Sequence, residues 1–222
     1  MEPAKQDMMD AILDSNRNKA VELAKAWARD HGFPSVFSEL LDPVLAQIGV
    51  DYEKGQSATL AYGYIAAKVA EDILGIAAIE APPPATGVRK AVIIGNIEDD
   101  YHALGRKMVG VFLRTAGWDV HDLGNDVPAE GFVNTALEKQ ARVIGVSAMM
   151  HTTARNIAKV RNELDRRGLS GKIQLAVGGA IFCIRPELVS EVGGDGTARN
   201  AFLAAELISQ LHQRSLSLEA TS

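Results

Sequence analysis

The feature that most constrains this fold is a change in hydrophobic period across the proline-rich residues 81–87. Before this segment apolar residues recur at helical spacing, and after it they form short β-branched runs that alternate with helical stretches. Three consecutive prolines cannot continue a helix and favour an extended, semi-rigid connection. A chain of 222 residues is long enough for two modest domains. We therefore predict a helical domain at residues 1–80, a linker at 81–87 and a second domain at 88–222.

The first domain is predicted to be a four-helix bundle. Its clearest pattern places apolar residues on one helix face, at Phe37, Leu40, Leu41, Val44, Leu45 and Ile48. Gly32 is placed to end the preceding helix, and Pro34 stands where the next one begins. A last helix is predicted from about Ser57, as its N-cap, to about Ile79. Pro43 lies inside the third pattern, so we expect a kink or a split helix there.

The second domain is predicted to alternate strands with helices. The strand candidates are short runs that read as buried on both faces, at residues 91–94, 118–120, 143–146 and 173–177. Helical candidates of a length that suits right-handed crossovers lie at residues 103–116, 129–140, 153–167 and 198–212. The pattern predicts an α/β fold with an open, doubly wound parallel sheet of the Rossmann-like or flavodoxin-like type. Such sheets bind ligands outside the carboxyl ends of their strands.

Composition argues against several classes of function. The 23 Lys and Arg residues against 28 Asp and Glu give a net charge of −5, and the scattered basic residues argue against nucleic-acid binding. The apolar runs are strand-sized and the N-terminus lacks a secretory pattern, so we expect a cytoplasmic protein without a membrane anchor. The single cysteine, Cys183, excludes an internal disulfide and a cysteine-built zinc or iron–sulfur cage. Any bound metal must therefore be held by ligands other than a set of cysteine thiolates.

Polar residues and glycines follow the predicted strands at one edge of the sheet. The first strand leads into residues 95–105, an acidic loop that contains a histidine and ends in a glycine where a helix begins. The third strand leads into residues 147–153, and the fourth ends in Gly178 and Gly179. These elements are expected to converge and to leave room for something large and flat.

These residues resemble the cobalamin-binding (corrinoid) proteins, related to the B12 module of methionine synthase and to the corrinoid subunits of methanol and methylamine methyltransferase systems. The signature of that family is DxHxxG, then SxL, then GG. Residues 100–105 read DYHALG, and 41 residues separate them from Ser147-Ala148-Met149, which 28 residues separate from Gly178-Gly179. Three elements in register, each after a predicted strand, are a strong signal. The resemblance extends through residues 122–128 and 193–198, and the helical half has the length and place of the family's cap.

The resemblance implies roles for these residues. His102 would be the lower axial ligand of cobalt in place of the cofactor's own dimethylbenzimidazole, Asp100 would accept from its other ring nitrogen, and Ser147 would continue the hydrogen-bond chain. Glycines would let the displaced nucleotide arm approach the backbone closely. The residues expected to contact the cofactor are Asp100, Tyr101, His102, Ala103, Gly105, Ser147, Met149, His151, Thr153, Gly178, Gly179 and, in the cap, Tyr52.

Two of these positions leave alternatives open, and a third departs from the family pattern by a conservative change. Met149 stands where the family pattern has Leu, which is a volume-conserving change. His151 stands where relatives commonly carry Thr, and it either hydrogen-bonds the cofactor or points away from it. Tyr52 is either a residue that covers the upper face of the cofactor or a tyrosine that packs between two helices.

The resemblance implies a methyl carrier that holds cobalamin, as methylcobalamin or hydroxocobalamin, between partner methyltransferases. It would serve a methyl donor side and an acceptor side, would need a reductive activase, and would turn over nothing alone because this chain contains no substrate barrel. The alternative is a cobalamin-dependent sensor or light-responsive regulator. Photoreceptor members place Trp, then nine residues, then Glu-His in the cap, whereas Tyr52 is followed at that spacing by Tyr62 and Gly63. This departure argues against photochemistry.

Overall fold

The computed structural model of this chain describes residues 2–53, 60–80 and 90–220. The chain divides into two compact units, residues 1–82 and residues 83–222. The linker predicted at residues 81–87 and the predicted N-cap Ser57 lie outside the described residues. Among the described helices, none combines the length and the apolar character needed to cross a membrane.

The first unit is helical where it is described. Its elements are α1 (Pro3–Leu13), α2 (Arg17–His31), α3 (Phe33–Ser35), a π-helical segment (Val36–Leu41), α4 (Asp42–Glu53) and α5 (Leu60–Glu80). Helices α1, α2 and α4 each pack against α5. Met8, Phe37 and Ile73 are fully buried between them, because one face of each helix is apolar.

The interruption expected at Pro43 is present as the π-helical segment before α4. Pro43 has no N–H, so the α-helical hydrogen bond to the carbonyl of Glu39 cannot form, and the preceding turn widens. The amide of Asp42 accordingly donates five residues back, to the carbonyl of Phe37. The boundary expected at Gly32 is also present, since α2 ends there and Gly32 has a positive φ of 80°.

The second unit is a parallel sheet flanked by helices. Its elements are β1 (Ala91–Asn96), α6 (Ala103–Thr115), β2 (Asp119–Asp122), α7 (Ala129–Glu138), β3 (Val143–Ser147), α8 (His151–Ala154), α9 (Ile157–Arg166), β4 (Gln174–Gly178), α10 (Ala180–Ile184), α11 (Leu188–Glu191), β5 (Gly196–Thr197) and α12 (Ala201–Ala220). The described part of this unit has five strands in the order β2-β1-β3-β4-β5, all parallel. The doubly wound α/β class predicted from the sequence is confirmed.

Alternate residues of each central strand face opposite cores. In β1, Ile93 packs with residues of α7 and α9 on one face, and Val92 and Ile94 pack with residues of α6 and α12 on the other. Burial on both faces explains why the strands read as continuous apolar runs rather than as alternating ones.

Several details of the second unit differ from the prediction. The helix predicted at residues 198–212 runs over Ala201–Ala220, and the short helices α10 and α11 were not predicted. Strand β5 was not predicted, because two residues, Gly196 and Thr197, are too few to show a hydrophobic period. The helix predicted at residues 153–167 is divided into α8 and α9, and α8 begins two residues earlier. This difference matters for the site, because it places Thr153 inside a short helix beside the sheet edge.

Candidate functional site

The carboxyl ends of three neighbouring strands bring the predicted motifs together. Asn96, the last residue of β1, lies in register with Ser147 at the end of β3, and Ser147 lies in register with Gly178 at the end of β4. The loops that carry His102, Met149 and the glycine pair therefore leave the sheet side by side. This is the convergence that the sequence predicts.

Asp100 is a fully buried charge at this edge. Its Oδ1 accepts hydrogen bonds from Nδ2 of Asn96 at 2.7 Å and from the amide of His102 at 3.0 Å. Its Oδ2 accepts from the amide of Met149 at 2.8 Å and from Oγ1 of Thr153 at 2.9 Å. Burial would raise the pKa of this carboxyl, but the hydrogen bonds from Met149, His102, Asn96 and Thr153 together lower it below its usual range. Asp100 is therefore held as a carboxylate.

His102 stands between this carboxylate and solvent. It directly precedes α6, and its side chain is 49% exposed. Its Nδ1 lies 3.4 Å from Oδ1 of Asp100. Within the described residues no group hydrogen-bonds to Nε2 of His102. The ring thus has one nitrogen beside a carboxylate and the other available to a ligand.

The hydrogen-bond chain continues from Asp100 to Thr153 in this structure, and not to Ser147. Thr153 is 8% exposed, and its hydroxyl reaches Asp100 from α8. Ser147 ends its strand in register with Asn96, and no described group hydrogen-bonds to its hydroxyl. The place that the family resemblance assigns to Ser147 is taken here by a hydroxyl six residues later. The loop after β3 turns back on itself, so this partner comes from the helix rather than from the strand end.

Glycines leave open space along the edge. A Cβ added at Gly105 or at Gly178 would have no described atom within 4 Å. Gly179 serves another purpose, because its φ is 112° and a Cβ there would collide with the carbonyl oxygen of Ala148. Gly179 is therefore required by the backbone, whereas the first two glycines leave room that a ligand could fill.

Four large apolar side chains are exposed on segments that follow the strands of this edge. Tyr101 is 65% exposed, Met149 48%, Met150 53% and Ile184 75%. All four lie in loops or short helices that follow carboxyl ends of strands. Exposed large apolar side chains on segments at one edge of a sheet are a feature of binding surfaces.

The remaining predicted positions occupy different parts of the structure. Ala103 is the first residue of α6 and His151 the first residue of α8, and both side chains are partly buried. Tyr52 falls in the last turn of α4, and its side chain lies outside the described part of the structure.

Two residues of the site, Asn96 and Arg106, were not predicted from the sequence. Asn96 is fully buried and donates to both Asp100 and the carbonyl of His102, the latter at 3.1 Å. Arg106 is 6% exposed and pairs with Asp122. A buried Asn at a strand end and an Arg in the first turn of an amphipathic helix have no signature in one sequence. Their position next to the DxHxxG segment was the only available signal.

The contact between Thr153 and Asp100 gives a stability prediction. Because the pKa of Asp100 is below its usual value of 3.8 in the folded state, its hydrogen bonds stabilise the fold above that pH, and this contribution is lost as the pH falls below it. Thr153→Val should lower the free energy of unfolding by about 1–3 kcal/mol at neutral pH, and by less in acid. Urea unfolding of the apoprotein at several pH values measures both effects. Ser147→Ala is the control and should cost less than about 0.5 kcal/mol; equal losses in the two variants would contradict the assignment.

Comparisons with known proteins show which family the chain resembles. A family model described as the B12 binding domain matches residues 90–206. The chain is 31% identical over 206 residues to dimethylamine corrinoid protein 2 of Methanosarcina mazei, an alignment that covers 88% of this chain and 91% of that protein.

Two solved structures share the fold. The monomethylamine corrinoid protein of Methanosarcina barkeri has a TM-score of 0.75 and 23% identity, covering 92% of this chain and 96% of that one. The methanol:cobalamin methyltransferase complex MtaBC of the same organism matches with a TM-score of 0.52 and 24% identity, covering 96% of this chain and 80% of that one.

Proposed function

This chain belongs to the family of B12-binding corrinoid proteins, and from that premise we propose that it binds cobalamin at the carboxyl edge of its sheet and acts as a methyl carrier. His102 would be the lower axial ligand of cobalt. The partners would be methyltransferases that supply and receive the methyl group, together with a reductive activase.

The observation that carries the proposal is the pair formed by His102 and Asp100. A neutral imidazole binds a metal through one nitrogen, and an acceptor at the other nitrogen fixes the tautomer and the ring orientation. Asp100, held as a carboxylate 3.4 Å from Nδ1, favours a proton on Nδ1 and leaves Nε2 as the donor to the metal. Shortening this separation by about 0.5 Å would give an ordinary charge-assisted hydrogen bond.

The surroundings of His102 suit a large, flat and mostly apolar ligand. Gly105, three residues after His102, and Gly178, at the end of β4, leave open space that a side chain at either position would reduce. Tyr101, Met149 and Ile184 offer apolar surface around that space. The residues present therefore fit the group that the family implies.

When bound, cobalt would supply the chemistry of accepting and donating a methyl group. The task of the chain is to orient the ligand and to manage one proton. Asp100 would hold the proton on Nδ1 of His102, so that Nε2 stays available to the metal. Thr153 and Asn96 keep Asp100 in place through their hydrogen bonds.

The methylamine side of the family supports the choice of partners. The relative from Methanosarcina mazei is named as a dimethylamine corrinoid protein, and the related structures are those of a monomethylamine corrinoid protein and of a methanol:cobalamin methyltransferase complex. We therefore propose a methylated amine as the class of methyl donor.

Removal of His102 tests the ligation. The chain reconstituted with hydroxocobalamin should show the absorption spectrum of cobalamin ligated by imidazole, and His102→Ala should lose that signature while retaining part of the cofactor. His121→Ala is a matched control, because His121 also lies two residues from an aspartate, with Nε2 3.1 Å from Asp119, but in β2. An unchanged spectrum in His102→Ala, or the same change in His121→Ala, would rule out His102 as the ligand.

Substitution of Gly105 tests the position of the cofactor. Gly105 lies in the first turn of α6, so Gly105→Ala should stabilise the apoprotein by about 0.5–1 kcal/mol through helix propensity. The same methyl group should weaken cobalamin binding, because it fills the proposed space. Gly75→Ala in α5 is the control, since a Cβ there also meets no described atom and should stabilise without changing affinity. Thermal unfolding and cobalamin titration measure the two effects, and undiminished affinity in Gly105→Ala would place the cofactor elsewhere.

The carrier role is tested with reduced cofactor on the intact chain. Addition of a methyltransferase specific for mono-, di- or trimethylamine, together with that amine, should produce the spectrum of methylcobalamin. The reaction should require both the amine and the methyltransferase. Cobalamin that binds through His102 but is methylated under none of these conditions would favour the sensor alternative over the carrier.

A further inference from the structure

Asp126, in the loop between β2 and α7, bonds to each of the three residues that precede His102. Its amide donates to the carbonyl of Asp100 at 3.2 Å. Its Oδ1 accepts from the amide of Asp99 at 2.9 Å, and its Oδ2 accepts from the phenol of Tyr101 at 2.7 Å. One residue of a separate loop thus fixes the position of residues 99–101, which lead into His102.

The backbone of Asp99 and that of Asp126, which are joined by a hydrogen bond, both have an uncommon conformation. Asp99 has a φ of 67° and Asp126 a φ of 57°, both in the left-handed region. Each such residue costs on the order of 1 kcal/mol, although aspartate tolerates the conformation better than most residues. The hydrogen bond from the amide of Asp99 to Asp126 holds two strained residues against each other. Strain that is retained at a site in this way indicates that the geometry is needed there.

The loop that carries Asp126 is itself fixed to the sheet and to α6. The amide of Val127 donates to the carbonyl of Asn96 at 3.0 Å, and the amide of Asn96 donates to the carbonyl of Gly124 at 2.9 Å. Arg106 of α6 donates to Asn125 at 3.2 Å and pairs with Asp122. Since α6 begins directly after His102, the same loop holds the chain on both sides of the histidine.

His102 needs this support because few interactions of its own side chain hold the ring in place. Half of the side chain is exposed, and among the described residues the only group that forms an ion pair or hydrogen bond with its ring is Asp100, at 3.4 Å. The direction of the ring must therefore be set by the backbone that carries it. Metal ligation requires a ligand held to within about 0.5 Å of the productive position.

Resting on the proposed function, we propose that Asp126 is a positioning residue that aims His102 at the cobalt of bound cobalamin. It acts through Asp99, Asp100 and Tyr101 without touching the cofactor. The hydrogen bond from the Asp99 amide, followed by that from Tyr101, lowers the pKa of Asp126, so both of its oxygens remain acceptors at neutral pH. Its loss should change how the cofactor is ligated more than whether it is bound.

The test compares variants of the full chain reconstituted with hydroxocobalamin. The readout is the ratio of histidine-ligated to water-ligated cobalamin, taken from absorption spectra and from the nitrogen coupling in the paramagnetic resonance spectrum of the reduced Co(II) form. Asp126→Ala should lower this ratio about tenfold, the scale on which loss of a residue supporting a metal ligand acts. Asp126→Asn should recover much of the ratio, because asparagine tolerates a positive φ and keeps one acceptor oxygen. Tyr101→Phe, which removes one bond, should lie between wild type and Asp126→Ala.

Asp195 supplies a matched control. It accepts from a backbone amide, that of Leu175, and from a side chain, that of Arg161, both at 2.6 Å. Leu175 lies near the amino end of β4, away from the edge that carries His102. Asp195→Ala should therefore lower thermal stability without changing the ligation ratio.

Three outcomes separate the claims. A ratio in Asp126→Ala equal to that of wild type, or an equal fall in Asp195→Ala, overturns the positioning role while leaving ligation by His102 intact. Failure of wild type to bind hydroxocobalamin through His102 overturns the proposed function and this inference with it. A fall in the ratio restricted to Asp126→Ala and Tyr101→Phe, with recovery in Asp126→Asn, supports the inference even if Asp126→Ala is also less stable.

Discussion

The buried carboxylate of Asp100 is the interaction on which the rest of the site depends. A charge taken out of water costs several kcal/mol unless hydrogen bonds replace its hydration. The donors in this structure come from a strand end, Asn96, from the loop after β3, Met149, and from a short helix, Thr153. Satisfying one charge therefore requires two segments that are distant in sequence, residues 96–102 and residues 149–153, to meet at one edge of the sheet. The imidazole of His102 lies against the acceptor that this convergence creates.

The hydrogen bonding around Asp100 lowers the stability of this edge of the sheet in two ways. Asn96 directs its amide hydrogens to Asp100 and to the carbonyl of His102, which leaves its buried Oδ1 without a partner among the described residues. Such an atom costs about 1–3 kcal/mol. Asp99 and Asp126 add strained backbone beside it. A region that is both strained and incompletely hydrogen-bonded is expected where a binding site is organised in advance of its ligand. The two hydrophobic cores on either side of the sheet provide the rigid support that such a region needs.

Much of the fold was predictable because its signals are local. The strands consist of β-branched runs, and Pro43 perturbs its own helix whatever surrounds it. The pairing of His102 with Asp100 was also predictable, since two residues on one loop remain neighbours in most folds. Thr153 was predicted only as a contact of the cofactor. Its bond to Asp100 depends on how the loop after β3 turns back into α8, and that turn is set by packing between segments rather than by the residues themselves. Asp126 was missed for the same reason, whereas Asn96, only four residues before Asp100, was missed because a buried Asn at a strand end has no signature in one sequence.

The sequence by itself determined the doubly wound class, the order of its elements, and the histidine and glycines that stand after the strands. Periodicity and spacing are properties of neighbouring residues, so they can be read along one chain. Only the tertiary structure decided which hydroxyl completes the chain from His102, which glycine serves the backbone and which leaves space, and which loop holds the histidine in place. A hydrogen bond or a collision depends on the distance between atoms far apart in the sequence, and that distance exists only once the sheet has assembled.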